Sequence, residues 1–454
     1  MSARIEAFGS LLRLAAAGSR SDRVRVGLVA LGAAVGTVFS LAAFVVLTIQ
    51  GHDERYTNNL LQEPGLRPGV AFGCWLLLIP VLVFIGMCTR VCAERRERRY
   101  ATFRLAGATP SQVRLIAAAE TGLATLLGAV VGLGGFLAVR AVLAARVGDE
   151  DRLTLPVGEP FPWGPALFFC LLMPVVAGVA GALALRGVVV GPLGVARRHR
   201  RPRPAGWPAL LLLGGPIAVV IGDRLADGAI GGSGRVLLVL GVAATCVGLL
   251  LASAWLAAVG GRLVARVTGR PALLIAARRL EADPGGQSWA ISSVVVCAFF
   301  ASATAVFKAD TLATQPDDQF YARSFELVNL GILVAVIVAA AGLLVGIAES
   351  ILERRRSLAA LVATGTPIGT LRRAVLLQGL LPLVPAMLLA TALGAGCVFA
   401  LLGSTGDDGT TRTPLPLADL TLVVAVGIAA SLAATALSLP FLHRGVRPSE
   451  LRFE

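Results

Sequence analysis

The chain has 454 residues, 56% hydrophobic and only 15% charged, with a mean hydropathy of +0.79. Soluble domains carry about a quarter charged residues, so a soluble globular enzyme is excluded. The net charge of +14 does not indicate nucleic acid, because no aromatic residues are interleaved with the arginines for base stacking.

The first 25 residues are polar overall, and 3–17, "ARIEAFGSLLRLAAA", form an amphipathic pattern suited to an inner membrane surface. The apolar run that follows is longer than a signal-peptide core, so it is expected to be a retained span. Ten such runs are found: 26–49, 69–92, 115–139, 164–189, 207–222, 234–258, 288–306, 327–348, 374–402 and 418–441. Most approach or exceed the ~20 residues a helix needs to cross a bilayer. The fifth is the shortest and holds Pro216. The runs are continuous rather than alternating, which predicts helices and not a barrel.

The loops between them alternate in charge. Odd-numbered loops carry acids, such as Asp53, Glu54, Asp149–Asp151 and Asp407 with Asp408. Even-numbered loops and both ends carry arginine, as at Arg95, Arg96, Arg98, Arg99, Arg197, Arg198 and Arg354–Arg356. Positive loops stay on the cytoplasmic side, so ten spans with both termini inside fit without conflict. Inner-leaflet lipids are then natural partners for these arginines. Seven cysteines lie in or beside the spans and none in an outside loop, which argues against a disulfide framework. Cys88 and Cys92 share a helix face, but no histidine or third cysteine accompanies them to hold a metal.

The chain repeats itself. Spans one to four follow the order span, outside loop, span, basic elbow, long span, acidic loop, span, basic tail, and spans seven to ten follow it again. Four is even, so the two halves run in the same direction, and spans five and six bridge them. The expected fold is an all-α membrane protein of ten transmembrane helices, as two parallel four-helix repeats joined by a two-helix bridge. The expected divisions are 1–200, 201–262 and 263–454.

The elbows are the most distinctive stretches. "YATFRLAGATPSQVR" (100–114) is echoed 258 positions on by "LAALVATGTPIGTLRR" (358–373). Tyr100 and Phe103 share one helix face, and Leu358 and Leu361 hold the matching positions. This predicts short amphipathic helices over 95–106 and 353–364, whose apolar pairs would dock in a partner's groove. Gly107 and Gly365 are placed to stop them. Thr109-Pro110 and Thr366-Pro367 then read as an N-cap followed by proline at the first helical position. Glu120, about a turn inside span three, is expected to pair with Arg114 or Arg104, or to meet a partner.

These elbows resemble the FtsX-like, or MacB-like, permeases of ABC transporters. The family pattern is an Arg-rich start, an apolar helix, Leu-x-Gly-Ala, a polar turn and a long span with an early Glu. Here it is "RRERRYATFRLAGATPSQVRLIAAAETGLATLLGAVVG" (95–132), with Leu105, Gly107, Ala108 and Glu120 in place. The second copy (353–381) keeps Gly365 but has Thr366 where the pattern has Ala, and Gln378 near the place of Glu. The resemblance covers most of both four-span halves. It implies a permease whose elbows, including Tyr100, Phe103, Arg104, Gly107, Ala108, Thr109, Pro110, Leu358, Leu361, Gly365, Thr366 and Pro367, dock on separate ATPase subunits. ATP and magnesium would then be bound by the partner, one ATPase copy per half. In agreement, the sequence has no G-x-x-x-x-G-K-[ST] and its only lysine is Lys308, in the expected outside loop 307–325. Pairing of two chains as a homodimer is the alternative to a single pseudo-dimeric chain.

The outside loops 50–68 and 307–325 are too short to be independent domains. No span carries a charge at its middle, which disfavours proton relay and suits export or extraction of an amphipathic, lipid-like or peptide cargo. An FtsX-type signalling module that relays ATPase motion without transport is the competing expectation, and a secondary transporter with parallel repeats the third. Three histidines scattered over loops on both sides form no Ser-His-Asp or zinc pattern. Arginine with almost no lysine points to a GC-rich bacterial source and a place in its cell membrane.

Overall fold

A computed structural model describes residues 20–51, 61, 67–90, 100–103, 105, 107–146, 160–184, 206–226, 231–314, 319–353, 355–405 and 415–445. Among these the ordered elements are helices. The N-terminal lead-in, the arginine runs at 95–99 and 197–201, Arg104, Arg354 and Cys92 lie outside the described residues. Among the described residues, nine helices are long and apolar enough to cross a membrane. The place expected for the fourth span is taken by a helix whose apolar stretch, Trp163–Val179, is shorter. The chain is a multi-pass α-helical membrane protein with roughly ten spans. It separates into two units, residues 1–200 and 201–454.

In the first unit, α1 (Arg20–Thr48) packs against α2 (Arg67–Leu76), α3 (Leu78–Arg90), α4 (Pro110–Ala144) and α5 (Trp163–Ala184). α2 and α3 are one span interrupted at Leu77. Pro80 has no N–H to continue the ladder, and its ring crowds the preceding turn. The α1–α4 crossing is close because Gly128 and Gly132 face Ala30, Ala33 and Ala34. A Cβ on Gly132 would lie 2.6 Å from the Ala34 carbonyl oxygen. Small residues four apart let two backbones touch where lipid supplies no hydrophobic drive. At the far end of α1, buried Arg67 donates from Nε to the Leu61 carbonyl (2.7 Å) and from Nη1 to the Ile49 carbonyl (2.8 Å). It ties the start of α2 to the end of α1.

The second unit opens with α6 (Pro208–Ala226) and α7 (Gly231–Val267), an antiparallel hairpin. Its seam is lined by Gly215 and Gly222 on α6 and by Gly234, Gly241 and Gly248 on α7, all at seven-residue spacing. A Cβ on Gly241 would lie 2.7 Å from the Val219 nitrogen and 2.8 Å from the Gly215 carbonyl oxygen. Heptad spacing keeps one face of each helix on the seam. Pro216 sits inside α6 without ending it.

α8 (Pro271–Ala282) lies on α7, followed by α9 (Gly285–Thr314), α10 (Gln319–Glu353), α11 (Arg355–Ala363), α12 (Ile368–Thr405) and α13 (Leu417–Gly445). α9 packs on α10 and α12, and α12 on α13, which repeats the pairing of α1 with α3 and α4, and of α4 with α5. The hairpin α6–α7 packs onto α9 and α12 of this unit. Lys308, expected in a loop, is helical, because α9 runs to Thr314 and α10 starts at Gln319.

Candidate functional site

The elbow exists because α4 is too long for the membrane. Its 35 residues span about 52 Å at 1.5 Å per residue, against a hydrocarbon core of about 30 Å. The excess turns need cover, and the helical residues 100–103 supply it. Tyr100, 5% exposed, packs with Val113, Ile116 and Ala117 of α4, and Phe103 and Ala108 close over the same cluster. The Tyr100 hydroxyl donates to Glu120 Oε2 (3.2 Å), which also accepts from Arg25 Nη2 of α1 (3.4 Å). All three residues are buried. One carboxylate oxygen thus joins the elbow, α4 and α1.

This corrects two expectations. Tyr100 and Phe103 do not form an outward docking pair. They share a face, as their spacing predicts, but that face is turned inward onto α4. Glu120 meets Arg25, a partner outside the expected pair; Arg104 lies outside the described residues, and the side chain of Arg114 is exposed. Six residues along a helix is about 240° of rotation, so Arg114 and Glu120 occupy different faces. Arg25 was not among the expected residues. Its only sequence signal is an arginine that follows Arg20 and Arg23 and stands between two valines at the start of an apolar run.

The stop and restart follow the expected chemistry in the first elbow. Gly107 has φ +93°, and the Ala108 N–H reaches back to the Phe103 carbonyl (2.9 Å). That is the six-to-one bond of a Schellman motif, and the Phe103–Ala108 contact is its usual apolar companion. Thr109 then caps α4 in a capping box: the Gln112 N–H donates to Thr109 Oγ1 (3.4 Å) and the Thr109 N–H to Gln112 Oε1 (2.8 Å). Pro110 occupies the first helical position.

The second elbow keeps the stop and changes the restart. Gly365 has φ +92°, the Thr366 N–H reaches the Leu361 carbonyl (3.1 Å) and the Gly365 N–H the Val362 carbonyl (2.9 Å). Thr366 is not the cap, however. α12 begins at Ile368, and the Pro367 carbonyl accepts from Thr370 and Leu371 N–H, as Thr109's does from Val113. Counted from the glycine, Pro367 stands where Thr109 stands, so the threonine comes one residue early. Leu361 and Thr366 are half-buried and Pro367 is exposed. Leu358 lies in α11, with its side chain outside the described set, and Gln378, at the register of Glu120, is buried.

Among the described residues of the elbow's short helix, Ala101, Thr102 and Leu105 face outward. Leu105 is 89% exposed. It lies about 200° round the helix from Phe103, on the face opposite the buried one.

A long span preceded by an elbow that turns at a positive-φ glycine occurs twice in this multi-pass membrane protein, at Gly107 and at Gly365. A family model described as the FtsX-like permease C-terminal domain matches residues 70–189 and again residues 329–444, just over half the chain. The chain belongs to the FtsX-like permease family. No curated protein and no solved structure matches it.

Proposed function

We propose that this protein is the membrane subunit of an ABC transporter in a bacterial plasma membrane, with both termini cytoplasmic. Two copies of a separate ATPase, which hold the ATP and magnesium, dock on the elbows 100–109 and 355–367. Cargo is amphipathic, lipid-like or peptidic, and is exported or extracted from the bilayer. The division into a first repeat (1–200), a bridge (201–262) and a second repeat (263–454) belongs to the same reading.

The observation that carries it is the locked elbow. In both copies a glycine near φ +92° and its backward hydrogen bond fix the angle between a short helix and an overlong span. In the first copy the Arg25–Glu120–Tyr100 contact also ties that helix to α1. A push on the elbow therefore moves two spans together, which a flexible linker could not do. Within this reading the elbow residues divide by role: Tyr100, Phe103 and Ala108 anchor it, and Leu105 with its neighbours meets the ATPase.

The test is reconstitution of the full chain in vesicles with its cognate ABC ATPase. The chain alone should hydrolyse no ATP. The ATPase should be recruited and stimulated by the chain, and ATP should drive loss of a fluorescent phospholipid or amphipathic peptide from one leaflet. Hydrolysis by the chain alone, or an ATPase indifferent to it, refutes the reading.

A further inference from the structure

The two elbows are locked at almost the same φ, yet their outward faces and their supports differ. At the outermost register, 258 positions apart, the first elbow presents Leu105 and the second Ala363. Among the described side chains of 359–368, the exposed large aliphatic is Ile368, at 40% exposure, beyond the turn at the start of α12. Beneath the first elbow, Tyr100 and Arg25 converge on the Glu120 carboxylate. At the matching positions the second has Leu358, which has no hydroxyl, and Gln378, which has no charge.

We infer that the two elbows bind the ATPase unequally, with the first as the high-affinity seat and the second as a weak one filled only when ATPase is abundant. The inference rests on the proposed function. Leu105 fills an apolar pocket on the ATPase, and the arginines around the elbow require that pocket to be ringed by acidic side chains. Arginines also flank the second elbow, at Arg354–Arg356, Arg372 and Arg373, so charge steers the partner to both while the leucine distinguishes them. A buried leucine contributes the apolar contact of three carbons that an alanine lacks. The buried ion pair adds to the difference, since an elbow already held in place loses less freedom on docking. The expected gap is about tenfold in Kd, or 1.4 kcal/mol.

The test places a photoreactive amino acid at Thr102 in one full-length protein and at Ala360, its register partner, in another. Both are exposed. Each protein, in lipid nanodiscs, is titrated with the purified cognate ATPase and cross-linked. Cross-linking at 102 should half-saturate at about tenfold lower ATPase than at 360. Leu105→Ala should close most of the gap by weakening the first seat, and Ala363→Leu should close it by tightening the second. Equal half-saturation in the otherwise unchanged protein overturns the inference and leaves the proposed function standing. Tight cross-linking at 102 that survives Leu105→Ala overturns it too, and assigns the leucine to the bilayer surface. Absence of ATPase cross-linking at both positions overturns the docking reading itself.

Discussion

Replacing Glu120 with glutamine gives the first elbow the residue that the second already carries at Gln378. Arg25 and Glu120 meet at 3.4 Å with 2% and 3% of their side chains exposed. Breaking a buried ion pair from one side costs about 3–5 kcal/mol, because the remaining charge keeps its desolvation cost. The separation is long for a charge-assisted hydrogen bond, which places the loss near the lower end, about 3 kcal/mol. Removing both charges, by Glu120→Gln with Arg25→Met, should recover most of it, since no unpaired buried charge is then left. The assay is thermal unfolding in detergent of the wild type, both single variants and the double variant, read as a double-mutant cycle. A coupling energy of at least about 2 kcal/mol is expected. If Glu120→Gln melts with the wild type, or if the double variant loses the sum of the two singles, the carboxylate does not join the elbow to α1.

Two further predictions use the same measurement. Gly128→Ala should cost about 1–3 kcal/mol and reduce the yield of monodisperse protein, because the new methyl meets the Ala30 carbonyl and lies 2.7 Å from the Ala33 Cβ; Gly134→Ala, further along α4 in open space, should cost nothing. Thr109→Ala should cost about 1 kcal/mol by removing the cap of α4, whereas Thr366→Ala should cost clearly less, since Pro367 holds the cap position of α12. Equal losses at the two threonines would contradict the restart geometry described for the second elbow.

Much of this fold is legible in the sequence because apolar runs of span length have few other uses. The duplication is legible for the same reason, and so are the elbow stops: a glycine following an amphipathic turn and preceding Thr-Pro has one economical conformation. The rest depends on packing. Spacing places Tyr100 and Phe103 on one face, but only the overhang of α4 decides that this face turns inward. Arg25 reads as one more flanking arginine until α4 brings a carboxylate beside it. Thr366-Pro367 looks like a copy of Thr109-Pro110, and only counting from the glycine shows that the cap has moved. The seven-residue glycine series of α6 and α7 are visible in the chain, yet each passes for ordinary span composition until the two face each other.

That glycine seam has a mechanical consequence. Where backbones touch at every seventh residue, a small slide of α6 along α7 would drive a side chain into the opposing main chain. The next register that fits is a full heptad away, about 10 Å at 1.5 Å per residue. The hairpin is thus a strut: whatever motion the rest of the protein undergoes, these two helices travel as one rigid piece, and the bending must be taken up at their ends.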